Sequence, residues 1–163
     1  MSQPHKAVAG NLTTEVKLAR ELVVVLQEEQ SQLLSTSIDD LESLVARKTA
    51  LVAELSQQTK KRNENLRLAG YEPNFAGMTA WLESSKNHPD AIRLEKSWSE
   101  LVSISQSAKE LNRLNGMLIS SHMIRNQQAL SILQGSRPNE GMYGPDGQPS
   151  RVTTSPLRSV VTG

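Results

Sequence analysis

The chain has 163 residues, which is the size of one domain with a terminal extension. Its 18 basic and 17 acidic residues leave a net charge of +1, so the balance gives no reason to expect nucleic acid or another polyanion as a partner. Hydrophobic residues make up 37% and aromatics only 3%, which favours a helical bundle over a core with a deep ligand pocket. The absence of cysteine excludes a disulfide framework and fits a reducing cytoplasm.

The first 11 residues are expected to form a flexible arm. From Leu12 onward, apolar residues recur at alternating steps of three and four, which places them on one face of a helix. These residues include Val16, Ala19, Val23, Leu26 and Leu33. The spacing falters at residues 35–37, where we predict that the helix breaks and a second one begins. One unbroken helix over residues 12–69 is the alternative.

The second helix carries the same spacing at Leu41, Leu44, Lys48, Leu51 and Leu55. Glycine at position 70 and proline at position 73 are typical of its end. The connection over residues 70–90 contains three of the five aromatic residues and a short predicted helix. We expect these aromatics to close one end of the bundle, and a ligand-stacking platform is the alternative. The last helix is predicted from about residue 90 to residue 134.

The predicted fold is therefore all-α. We expect an elongated antiparallel helical bundle or coiled coil of three long helices plus a short connecting helix, over residues 12–135. Residues 136–163 hold four of the seven prolines and four of the nine glycines, and this composition predicts a disordered tail. The most apolar run, Leu22–Leu26, is far shorter than a membrane span, so no membrane insertion is expected.

The sequence contains none of the glycine-rich phosphate loops or nucleophile motifs that mark common enzyme sites. His5, His88 and His122 do not have the spacing of metal ligands. We therefore predict no enzyme activity, no metal and no cofactor.

One basic cluster, Lys60, Lys61 and Arg62 with nearby Arg67, lies late in the second helix. Positive charge there suits the negative end of the helix dipole, which is the favoured interpretation. Contact with nucleic-acid phosphates is the alternative, but no aromatic side chain interleaves with the cluster. We therefore expect no nucleic-acid partner.

The apolar pattern changes between Leu111 and Leu133, where apolar residues occur on more than one face of the last helix. A helix that packs only against two neighbours does not need so wide an apolar surface. The pattern indicates association with a partner. A deeper bundle or a homodimer face would produce the same pattern.

Three segments resemble the FlgN-type flagellar export chaperones. LLSTSIDDLESLVARKTALVAEL, at Leu33–Leu55, is similar to the family's leucine and aspartate pattern, with Leu-x-x-Leu-x-x-x-Lys-x-x-Leu beginning at Leu41. LNRLNGMLI, at Leu111–Ile119, is similar to its Leu-Asn-x-x-Asn-Gly-x-Leu-Ile segment. MYGPDGQ, at Met142–Gln148, resembles a motif of the family's tail. The last two segments, in this order, are the more specific part of the resemblance.

The resemblance implies a cytoplasmic chaperone of the hook–filament junction (hook-associated) proteins, which prevents their premature assembly and delivers them to the flagellar type III export apparatus. A structural coiled-coil scaffold or homo-oligomerising helical protein is the alternative function. The implied binding residues all lie in the last helix: Leu111, Asn112, Leu114, Asn115, Gly116, Leu118 and Ile119. Met123, Ile124, Leu130 and Leu133 extend this surface by position, and Tyr143 is the implied contact with the export gate.

Overall fold

The computed structural model describes residues 3–35 and 40–135, and all of their regular structure is helical. The long helices are α1 (Gln3–Leu34), α2 (Leu41–Leu68) and α4 (Ala91–Gly135), and the short helix α3 (Phe75–Ser84) connects the last two. The predicted all-α fold, with three long helices and a short one, is confirmed. The predicted tail over residues 136–163 lies outside the described residues.

Helix α1 begins at Gln3, so the flexible arm predicted over residues 1–11 is corrected for the described part of that range. Val8 and Leu12 are each completely buried in the same core cluster as Trp81 of α3. Burial of these two aliphatic side chains stabilises the first turns, which outweighs the weak helix propensity of Gly10.

Helices α1 and α2 are separate and antiparallel. Asn11, near the start of α1, accepts a hydrogen bond of 2.9 Å from Asn65 near the end of α2. Lys48, early in α2, donates one of 2.6 Å to Glu29 late in α1. The alternative of an unbroken helix over residues 12–69 is therefore wrong.

Helix α4 runs parallel to α1, as three contacts along their lengths show. Arg20 pairs with Glu100, Asn115 bonds to Leu26, and His122 contacts Leu33. Residue numbers rise together in both helices, so α4 is antiparallel to α2. Helix α1 thus packs against both of the other long helices.

Helix α2 ends just before Gly70 and Pro73, as predicted, and its end has the geometry of a Schellman motif. Gly70 has a φ of 87°, in the left-handed region that favours glycine. Its N–H donates to the carbonyl of Arg67, and the N–H of Tyr71 donates to that of Leu66, at 3.0 and 2.9 Å. These bonds satisfy carbonyls that the helix end would otherwise leave unpaired.

Aromatic residues are expected to close one end of the bundle, and Trp81 is the one that is completely buried in the core cluster. The ring of His5 stacks on Trp81 with centroids 5.9 Å apart, and the Tyr71 ring lies edge-on to His5 at 6.0 Å. Phe75 is 63% exposed, although its ring lies near that of Trp98. The aromatics therefore join α3 to the beginning of α1 and do not form an open stacking platform.

A buried ion pair joins the middle of the α1–α2 pair. Arg62 donates a hydrogen bond of 2.9 Å to Glu15, and the Thr59 hydroxyl donates one of 2.6 Å to the same carboxylate. Burial raises the pKa of Glu15, against the opposing effects of the Thr59 hydrogen bond and the Arg62 charge. The basic cluster predicted from sequence is therefore divided, because Arg62 is committed to the interior while Lys60 and Lys61 are exposed.

Candidate partner-binding site

The predicted binding residues of α4 up to His122 divide into an inner and an outer side. Leu111, Leu114 and Leu118 are half-buried. Leu111 and Leu118 lie four residues before and three residues after Asn115, so they share its helix face. Since Asn115 and His122 both contact α1, this face is the inner side of α4. These leucines are only partly available to a partner.

The predicted role of Asn115 as a partner contact is corrected, because its side chain lies inside the bundle with 1% of its surface exposed. Its Nδ2 donates hydrogen bonds of 2.9 Å to the carbonyl of Leu26 and 2.8 Å to Oε2 of Glu29. Its Oδ1 is buried without a hydrogen-bond partner among the described residues. The amide is therefore used to hold α4 on α1.

Glu29 is the centre of this inner polar cluster. Its side chain is fully buried, and it accepts hydrogen bonds from Lys48 of α2 and Asn115 of α4. A buried carboxylate requires such charged or hydrogen-bonding neighbours to offset its loss of hydration. Because the two donors come from different helices, Glu29 links all three long helices.

His122 makes the next contact with α1. Its Nε2 lies 2.7 Å from the carbonyl oxygen of Leu33, and the side chain is half-buried. A carbonyl oxygen only accepts hydrogen bonds, so Nε2 carries the proton in this contact. His122 is thus a residue of the bundle that contacts α1.

The outer side of α4 holds three of the predicted residues. Asn112, Gly116 and Ile119 are all exposed and follow each other at steps of four and three. A Cβ atom added to Gly116 would meet nothing within 4 Å, so the fold itself does not require glycine there. Gly116 leaves open space on the outer surface that a partner could approach closely.

Met117 is an exposed apolar residue outside the set of predicted binding residues. It is 57% exposed, and its sulfur accepts a hydrogen bond of 3.1 Å from Arg113. Met117 lies three residues after Leu114 and seven before Ile124, so helical spacing could have identified it. The Leu-Asn-x-x-Asn-Gly-x-Leu-Ile pattern leaves its position variable.

The segment Met123–Gly135 is the last part of α4, and every one of its residues is exposed. Its only charged residue is Arg125. Its predicted binding residues have exposed fractions of 58% for Met123, 55% for Ile124, 57% for Leu130 and 70% for Leu133. So many large apolar side chains close together on a surface are typical of an interaction site.

Other predictions concern chemistry that the described residues do not supply. Within residues 3–35 and 40–135, no group of three or more His, Asp or Glu side chains could hold a metal ion. No helix in the same part of the chain is both long and apolar enough to cross a membrane. Tyr143, the predicted export-gate contact, falls outside the described residues.

Comparison with known proteins identifies the family. The family model described as FlgN protein matches residues 1–151. The chain belongs to the FlgN family. This membership bears out the resemblance that the three sequence segments indicated.

Curated relatives of the chain carry the name flagella synthesis protein FlgN. The protein from Proteus mirabilis is 28% identical over 129 residues, covering 78% of this chain and 79% of the relative. The protein from Escherichia coli K12 is 26% identical over 132 residues, covering 80% of each. A role in building the flagellum follows for the FlgN-family chain.

A solved structure supports the fold independently. It is the crystal structure of a protein from Pseudomonas aeruginosa that is assigned to flagella synthesis as FlgN. The two structures superpose with a TM-score of 0.60 at 22% identity, covering 68% of this chain and 84% of the other. At this identity the similarity concerns the fold alone.

Proposed function

We propose that this chain is a cytoplasmic chaperone for flagellar protein export, which binds hook–filament junction proteins through the last part of α4. In this role it prevents their premature assembly and delivers them to the export apparatus. The observation that carries the proposal is the exposure of Met123, Ile124, Leu130 and Leu133 on the last part of α4, residues 123–135, which contains only one charged residue. Membership in a family of flagella synthesis proteins supports the same role.

The chemistry of this segment suits binding to a helical partner. Exposed Ile124, Leu130 and Leu133 offer aliphatic surface that becomes favourable to bury when an apolar helix face packs on it. The polar residues between them, such as Asn126 and Gln127, can satisfy hydrogen bonds at the edge of such a contact. A terminal segment of a junction protein whose apolar face is uncovered before assembly would match this surface.

A substitution on the inner side of α4 affects folding as well as binding, whereas one on its exposed last part tests binding alone. Leu118 is half-buried on the inner side of α4, so Leu118→Asp would disturb the bundle as well as any binding. Leu130 is 57% exposed, so Leu130→Asp changes the surface with little effect on the fold. Leu130 is therefore the better position for a test.

The test is calorimetric titration of the chain with a purified hook–filament junction protein. Leu130→Asp is expected to weaken binding about tenfold or more, since it removes one buried leucine and introduces a charge. Gln128→Asp places the same charge on the same exposed helix and is expected to bind within about threefold of the original. Equal affinity of the Leu130→Asp variant and the original chain would contradict the proposed surface.

Two further measurements separate the parts of the proposal. Tyr143→Ala is expected to leave junction-protein binding intact and to reduce export in cells, and equal loss of both would contradict a separate role for Tyr143.

Sedimentation distinguishes the chaperone from a homo-oligomerising scaffold. A stable oligomer that buries Leu130 and does not bind junction proteins would favour the scaffold.

A further inference from the structure

Helices α2 and α4 both pack on α1 but leave an open groove between them. Among the described residues up to His122, no hydrogen bond or ion pair joins α2 to α4. Their polar contact is the Arg62 guanidinium, which lies 5.1 Å from the ring centroid of Trp98. Beyond this pair, Leu22 and Leu26 of α1 line the space between the two helices.

This α2–α4 groove consists of two adjoining depressions with volumes of about 440 and 530 Å³. Both depressions are lined by Leu55 of α2 and by Ser105 and Lys109 of α4. Leu26 of α1 forms part of the lining, and Val52 of α2, which is 51% exposed, adds apolar surface. The groove is apolar enough to favour burial of another apolar side chain.

The dimensions of the groove match a short helix. Its lining extends from Lys48 to Arg62 on α2 and from Trp98 to Asn112 on α4. At about 1.5 Å per residue, each wall is roughly 21 Å long, which corresponds to about four helical turns. A helix in this position would complete a four-helix arrangement around the apolar lining.

The charges of the groove favour an acidic occupant. The carboxylate of Glu15 is buried and paired with Arg62, and Lys48 is paired with Glu29. Lys109 is exposed and has no ion-pair partner among the described residues. The unneutralised charge at the groove is therefore positive, so a carboxylate beside an apolar face would complement it.

Two buried donors at one end of the groove favour a partner that offers acceptors. The Nε atom of Arg62 and the Nε1 atom of Trp98 are buried without hydrogen-bond acceptors among the described residues. Both side chains line the groove. An unsatisfied buried donor is costly, and an acceptor from an occupant would remove that cost.

A second copy of this chain is a poorer match. Its exposed apolar helix, Met123–Gly135, carries Arg125 as its only charge and has no carboxylate to meet Lys109. We infer that the α2–α4 groove binds an amphipathic helix of about four turns from another protein, with an acidic side chain that pairs with Lys109. This surface is distinct from the one in the proposed function, and neither depends on the other.

The test uses two labelled, hydrocarbon-stapled helical peptides and the full chain. Both peptides have leucines at helical spacing along one face, and they differ only in carrying Glu or Lys at the edge of that face. Fluorescence anisotropy is expected to show saturable binding of the Glu peptide, about twofold to fivefold tighter than that of the Lys peptide. Absence of saturable binding, or equal affinity for the two peptides, would overturn the inference.

Matched variants locate the binding. Lys109→Glu is expected to reverse the preference between the peptides, whereas Lys96→Glu, at an exposed position outside the groove lining, is expected to leave it unchanged. Val52→Asp is expected to weaken both peptides about tenfold. Val24→Asp is its control, because Val24 is 49% exposed on α1 and lies outside the groove lining.

Two outcomes would assign the groove differently. If Val52→Asp converts a self-associated chain to a monomer, the occupant is a second copy and the inference is wrong. If Lys96→Glu and Lys109→Glu change peptide binding equally, the preference reflects overall charge and not the groove. Binding of the junction protein is also measured for the Val52→Asp and Leu130→Asp variants in the same experiment. This comparison distinguishes a failure of the groove inference from a failure of the proposed function.

Discussion

Asn115 and Glu29 are 86 residues apart in the chain, yet the Asn115 amide donates a hydrogen bond of 2.8 Å to the Glu29 carboxylate inside the bundle. Lys48 pairs with the other oxygen of the same carboxylate at 2.6 Å. One acidic side chain thereby joins α1 to both α2 and α4. The family motif placed Asn115 on the binding surface, but its side chain instead holds α4 on α1.

Asn115→Ala is expected to lower the free energy of unfolding by about 1.5–3 kcal/mol, because a buried charged group loses a hydrogen-bond donor. Urea unfolding followed by circular dichroism measures this loss. Asn112→Ala, at an exposed position on the same helix, is the control and should change stability by less than about 0.5 kcal/mol. Equal effects of the two substitutions would contradict the structural role of Asn115.

Arg62→Met is expected to destabilise the fold by about 3–5 kcal/mol, because it leaves the Glu15 carboxylate buried without its charged partner. The double variant Glu15→Leu with Arg62→Met should recover most of this loss, since it removes the stranded charge and fills the site with apolar groups. Arg47→Met breaks an exposed pair with Glu28 and is expected to cost less than about 1 kcal/mol. A double variant as unstable as Arg62→Met would argue against this interpretation.

The Arg62→Met variant should also respond differently to pH. Burial already raises the pKa of Glu15 above its usual 4.5, and loss of the Arg62 charge raises that pKa further. A carboxyl with a raised folded-state pKa stabilises most when it is protonated, and that stability is lost as pH rises through the folded-state pKa. The Arg62→Met variant should therefore lose less free energy of unfolding, relative to the original chain, below pH 4.5 than near neutral pH. Urea unfolding at the two pH values measures this difference.

Gly116→Ala is expected to stabilise the fold slightly and to weaken binding of the junction protein. Added Cβ atoms at Gly116 and at Gly10, which is also exposed in a helix, meet nothing within 4 Å. Alanine should therefore add about 0.5–1 kcal/mol of stability at each position. Calorimetric titration should show weaker binding only for Gly116→Ala, and unchanged binding would mean that no partner approaches this position closely.

The beginning of α1 should become less stable in mildly acidic solution. Burial lowers the pKa of His5, whose ring stacks on Trp81. A histidine with a lowered folded-state pKa contributes stability above its unfolded pKa, and this contribution is lost as pH falls through the folded-state pKa. Urea unfolding above and below pH 6.5 should show a loss of stability that His5→Phe reduces. An identical pH dependence in the two proteins would contradict this role.

The helices and their order could be predicted from the spacing of apolar residues, but the polar interior could not. Glu15 and Glu29 are ionisable residues on helices, and nothing local marks them as buried. Their partners lie 47 and 19 residues away, at Arg62 and Lys48, so only the tertiary arrangement reveals them. The start of α1 is hard to predict for another reason, since Val8 and Leu12 are spaced for a helix but Gly10 lies between them.

Within the candidate site, the motif did not separate the two sides of α4. Asn112 and Asn115 look equivalent in sequence, yet one is exposed and the other is buried. The position of Asn115 between Leu111 and Leu118 would have placed it on the inner face by spacing alone.

The parallel arrangement of α1 and α4 also affects the order in which the chain can fold. The polar contacts between α1 and α2 close loops of 19 to 54 residues, whereas those between α1 and α4 close loops of 80 to 89 residues. Contacts of short sequence separation form with less loss of chain entropy. During synthesis the α1–α2 hairpin can therefore assemble while α4 is still being made, and α4 then docks on a support that already exists.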